Sequence, residues 1–98
     1  MNEENSGSVV HKVVNVTASD EIRKGRFVNS TDVLHSSEDF RMDFYYISGD
    51  DGVLCARVIV TPSHMKRILK AITESVKSYE ESYGQIPEKI LEIDSNAR

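Results

Sequence analysis

The stretch Thr61–Gly84, TPSHMKRILKAITESVKSYEESYG, has a start, a stripe and a stop. Thr61 suits an N-cap, because its hydroxyl accepts from an orphan N–H of the first turn. Pro62 suits the first helical position, where a missing N–H is no loss. Apolar residues recur at Met65, Leu69, Ile72, Val76, Tyr79 and Tyr83, an unbroken a/d seam that Ile68 widens. Gly84 stands where a left-handed residue ends a helix, and Pro87 forbids continuation. Ile86 is placed to close a Schellman motif with an apolar contact. The spacing predicts one amphipathic helix of about 22 residues, roughly 33 Å long.

Upstream of it, the alternation has period two. Over Asp39–Ile47, Phe40, Met42, Phe44 and Tyr46 share a face, with Asp39, Arg41, Asp43 and Tyr45 opposite. That is the pattern of a half-buried antiparallel strand. Val53–Val60 puts Leu54, Ala56, Val58 and Val60 on one face. A three-residue loop, Asp50-Asp51-Gly52, would pair Phe44 with Val58 and Tyr46 with Ala56, with Gly52 in a G1 bulge. Arg57 then lies opposite Tyr45 and diagonal to Asp43, as an exposed pair worth little.

Arg26–Leu34 reads as a further strand with neither face cleanly apolar, and His35–Glu38 as a turn. Ala18–Gly25 reads as a turn or a single helical turn closing on glycine. The β-branched run Val9–Val16 predicts a first strand. Residues 1–7 read as a disordered tail, 8–94 as one domain and 95–98 as a frayed end, with Ile90, Leu91 and Ile93 docking a short C-terminal element. The expected class is α+β: a small antiparallel sheet of three to four strands followed by one long amphipathic helix.

Ninety-eight residues suffice for one modest core. Twelve basic and sixteen acidic residues give a net charge of −4, with a pI near 5.3. That balance argues against a nucleic-acid partner, which needs a basic face. No run of about 18 apolar residues predicts a membrane span. The polar, acidic start and the single cysteine point to the cytoplasm. The sequons at Asn15 and Asn29 then read as chance.

DEIRKGRFVN, VLHSSEDFRMDF, ARVIVTPSHMKRILKAI and SYEESYGQI together resemble the small prokaryotic family known as domain of unknown function 3467. Its pattern is carried by Gly25, Phe27 and Asn29, and then by His35, Ser36, Asp39, Phe40, Asp43 and Phe44. It continues through Arg57–Ile59, Thr61, Pro62, His64, Lys66 and Arg67 to Tyr79, Glu80, Tyr83, Gly84 and Ile86. Met65 stands where members often carry Ala, and Ser75 where Asn is common. The resemblance covers roughly residues 14–86; it implies a fold and no activity.

Chemistry-bearing groups are few. His35, Asp39 and His64 lack close ligand spacing, so no metal site is expected. Neither a cofactor motif nor a catalytic constellation stands out. Cys55, among aliphatics, reads as a buried thiol rather than a nucleophile. His64, Lys66, Arg67 and Lys70 at the helix start are a candidate anion site; Lys70–Glu74 and Lys77–Glu81 read as ordinary i,i+4 pairs.

Two surfaces are expected to need partners. Met65, Ile68, Leu69 and Ile72 are expected to cover Phe40, Phe44, Leu54 and Val58, which leaves Val76, Tyr79 and Tyr83 for something else. The outer sheet face carries Tyr45, Ile47, Val53, Cys55 and Ile59. These residues point to a non-enzymatic homodimer joined through the helix seam or the outer face, or to binding of another protein or peptide. The order of strands before a long helix also resembles, at fold level only, the export chaperone SecB.

Overall fold

The computed structural model describes residues 13–88. The expected tail, Val9–Lys12 of the first strand and the docking segment at Ile90–Ile93 lie outside them. Val13–Val16, the described part of that strand, is exposed and in no ladder.

α1 (Asp20–Lys24) is the single turn expected. Ser19 Oγ accepts from Ile22 N–H at 3.2 Å, and Gly25, at φ 81°, closes the turn by donating to Ile22 C=O. The sheet follows as β1 (Ser30–His35), β2 (Phe40–Ser48) and β3 (Asp51–Val60), antiparallel in the order β1-β2-β3. α2 (Pro62–Tyr83) completes an α+β fold of three strands and one long helix.

β1 starts four residues later than its residue types suggested; just before it, Asn29 N–H donates to Tyr45 C=O at 2.9 Å and its side chain extends the pairing to Ile47. Its Nδ2 donates to Ile47 C=O at 3.0 Å, and its Oδ1 accepts from Ile47 N–H at 2.9 Å. The turn to β2 is built on Ser36, whose Oγ accepts from the N–H of Glu38 and Asp39 and donates to Asp39 Oδ1. Asp39 is thereby held by the turn.

The β2–β3 register corrects the expectation. Ser48 pairs with Asp51 across a two-residue loop, Gly49-Asp50. Gly49, at φ 63°, supplies the left-handed conformation such loops need at their first position. Gly52 is an ordinary ladder residue opposite Ile47. A bulge then intervenes: Tyr45 pairs with Leu54 and Phe44 with Ala56, leaving Cys55 as the extra residue. Phe44 thus faces Ala56 rather than Val58, and Tyr46 faces Val53 rather than Ala56. For Phe40–Phe44 the slip is two residues and keeps each side chain on its face; past the bulge it is three, so Leu54 joins the face of Tyr45 and Val53 that of Tyr46, the reverse of the expected assignment.

α2 has the ends expected of it. Thr61 Oγ1 accepts from His64 N–H at 3.2 Å, and Gly84, at φ 99°, donates to Glu80 C=O at 2.9 Å. No Schellman closure forms: Gly84 has positive φ but, at ψ 167°, lies outside the left-handed helical region, and Ile86 N–H is taken by Glu80 Oε2 at 2.9 Å. The expected packing of α2 on the sheet is not formed. The helix makes only marginal contact with the strands, and Met65 and Ile68 are its only half-buried apolar residues. Leu69 and Ile72 are 62% and 51% exposed, and Leu54 and Val58 are exposed as well. No apolar residue among those described is buried.

Candidate functional site: an uncovered seam and a buried carboxylate

The one buried side chain among the described residues is Asp43, 1% exposed. β2 places it directly opposite Arg57 on β3. Arg57 Nε donates to Oδ1 at 2.8 Å and a terminal nitrogen donates to Oδ2 at 3.2 Å, a bidentate fork. Arg41 Nε lies 3.3 Å from Oδ2 without hydrogen-bond geometry. The diagonal, exposed Arg57–Asp43 pair expected from the sequence is corrected to a direct pair with a buried carboxylate. The cover is the arginines themselves, which stay about half exposed, rather than a hydrophobic core.

Arg57 holds the Asp43 carboxyl below its ordinary value of 3.8, against a burial effect of opposite sign. The pair raises Arg57 in turn. Burial, then Asp32, pushes the Tyr45 hydroxyl up, so Tyr45 belongs to this polar cluster. Asp32 lies across the ladder from Asp43. The cluster balances two acids against two arginines on one sheet face, with Asp43 forked by Arg57 and Arg41 beside it as an ion pair without a hydrogen bond at Nε.

The other surface residues singled out by sequence are placed as follows. Ile47 and Ile59 are exposed on β2 and β3. Cys55, half-buried rather than buried, is a free thiol at the bulge. Arg26 donates to its Sγ at 3.3 Å. Both border a cavity of about 450 Å³ between α1 and the sheet, lined also by Ile22, Val28, Phe44 and Ala56. Val76, Tyr79 and Tyr83 form an exposed line on α2, with the two tyrosine rings 5.0 Å apart. Because α2 and the sheet barely touch, the helical and sheet groups remain separate surfaces.

His64, Lys66, Arg67 and Lys70 are all exposed on the first turns of α2, and an Arg67 terminal nitrogen lies 3.2 Å from His64 Nδ1. None of the ion pairs formed among the described residues involves α2, so the expected Lys70–Glu74 and Lys77–Glu81 pairs are not made. Among the described residues no three His, Cys, Asp or Glu side chains converge as metal ligands. No described helix is long and apolar enough to cross a membrane. Sequence reasoning missed the burial of Asp43. Its signal is weak: an acid between arginine-bearing positions, legible only once the register is known.

A three-stranded meander followed by a capped helix, with a carboxylate the only buried side chain among the described residues, defines a small α+β protein whose described apolar surfaces are left open. The family profile described as "Protein of unknown function (DUF3467)" matches residues 1–88, and the chain belongs to that family. Neither the curated proteins nor the solved structures contain a match.

Proposed function

We propose that this protein is a non-enzymatic interaction module that works as a homo-oligomer in the cytoplasm. The observation that carries the reading is the open apolar seam of α2, together with the absence of a buried apolar residue among those described. Ordering backbone costs roughly 1–2 kcal/mol per residue, and apolar burial is the main term that offsets it. A second copy supplies that burial with surfaces the chain already has. Sedimentation equilibrium at micromolar concentration tests this. A dimer or larger species is expected, and Val76→Glu or Tyr79→Glu, which place a charge in the seam, shift it to monomer. A wild-type monomer at all concentrations overturns the reading.

A second reading is a chaperone-like module that binds extended peptide. The exposed Val53, Leu54 and Ile59 on the edge strand β3 favour it, because an open edge accepts another strand. Suppression of aggregation of an unfolded client supports it; failure to bind any unfolded protein removes it.

A further inference from the structure

We propose that two copies of this chain pair through α2 in an antiparallel arrangement, with Lys66 of one beside Glu80 of the other. The inference rests on the homo-oligomer reading and names its geometry. The seam Met65, Leu69, Ile72, Val76, Tyr79, Tyr83 assigns a and d positions along the whole helix. The flank that follows each d position carries Lys66, Thr73 and Glu80. The other flank carries Ile68, Ser75 and Ser82, and no charge.

In an antiparallel pair like flanks meet. Setting Ile72 against the partner's Val76 stacks all six apolar layers, from Met65 on the partner's Tyr83 to Tyr83 on the partner's Met65. In that register Lys66 meets the partner's Glu80 twice by symmetry, and Thr73 meets the partner's Thr73. A slip of one heptad leaves two apolar layers uncovered and sets Lys66 or Glu80 against Thr73. A parallel pair offers no opposite charges across the seam. It also gathers Lys66, Arg67 and Lys70 at one end and Glu80 and Glu81 at the other, like against like.

Two structural observations support the antiparallel choice. α2 has no acidic residue in its first turn and no basic residue in its last, the reverse of what its own dipole favours. An antiparallel partner makes that reversal attractive. Glu80 is also held in place: Oε2 takes Ile86 N–H at 2.9 Å, which folds the chain back beside the helix. The fold-back makes an open groove of about 820 Å³ lined by Val76, Glu80, Ile86, Pro87 and Glu88. An apolar groove with two carboxylates fits the basic, apolar start of a second α2.

The test is a mutant cycle on the dimer dissociation constant, read by sedimentation, with variants chosen to keep an acceptor for Ile86. Lys66→Gln and Glu80→Gln are each expected to weaken the dimer about fivefold, and the double variant no more than either alone. Raising NaCl from 0.05 to about 0.5 M weakens the wild type and leaves the double variant nearly unmoved. A dimer unaffected by either substitution, additive losses, or tightening with salt overturns the antiparallel pairing and leaves self-association standing. A wild-type monomer at every concentration overturns both.

Discussion

Asp43 has the least solvent contact of any described residue, although no described apolar residue is itself buried. Its pairing with Arg57 ties stability to acid pH with a definite sign. A carboxyl held below its ordinary 3.8 stabilises the fold while ionised. The contribution is therefore present above that value and is lost as pH falls below it, through the depressed pKa. Acid titration followed by circular dichroism is expected to show this loss, and Asp43→Asn to remove the pH dependence while destabilising the protein at neutral pH. Arg57→Lys fails to restore it, because an ammonium cannot form the fork. Asn29 offers a second single-residue test. Asn29→Ala leaves both polar groups of Ile47 to water and is expected to lower stability by about 1 kcal/mol in denaturant melts.

Among the elements, α2 and the β2–β3 hairpin differ in how far local sequence decides them. α2 runs from cap to cap as its residues dictate, because capping and seam are local. Thr61→Ala is expected to cost about 1 kcal/mol of helix stability, visible as fraying at 222 nm. The hairpin needs long-range information. Gly49 and Gly52 both offer glycine at a turn, and only Gly49 takes positive φ. Gly49→Val strains that loop by roughly 1–2 kcal/mol, while at Gly52 an added Cβ meets Ile47 Cγ1 at 3.4 Å and Tyr46 C=O at 3.8 Å, both tolerable contacts. Melts of the two variants separate the roles. The bulge at Cys55 compensates for the shorter loop, so that Phe40, Met42 and Phe44 still align with Val60, Val58 and Ala56.

For the molecule as a whole, the sheet and α2 are joined in sequence but hardly packed. If burial is supplied by a second copy, folding and association are one equilibrium, and the melting temperature rises with protein concentration. Calorimetry over a hundredfold concentration range is expected to show that rise, and dilution to remove helix signal together with dimer. The site residues of the outer sheet face divide here too. Ile47 and Ile59 remain available for contact, while Tyr45 is drawn into the Asp43 cluster, which sequence alternation cannot distinguish.

By itself the sequence determined what rests on local chemistry: the α+β order, the bounds of α2, the Ser36 turn, the alternation along β2 and the continuous seam. Only the tertiary structure decided the rest. It showed a two-residue loop with a bulge where a three-residue loop gives Phe40–Phe44 the same facing, because alternation repeats every two residues, and the bulge put Leu54 and Val53 on faces exchanged from those expected. It put Asp43 directly against Arg57, since that follows from register. It also left Leu69 and Ile72 uncovered where the seam suggested a core. Periodicity shows that a face is apolar; which surface covers it depends on where the chain, or another copy of it, places a matching one.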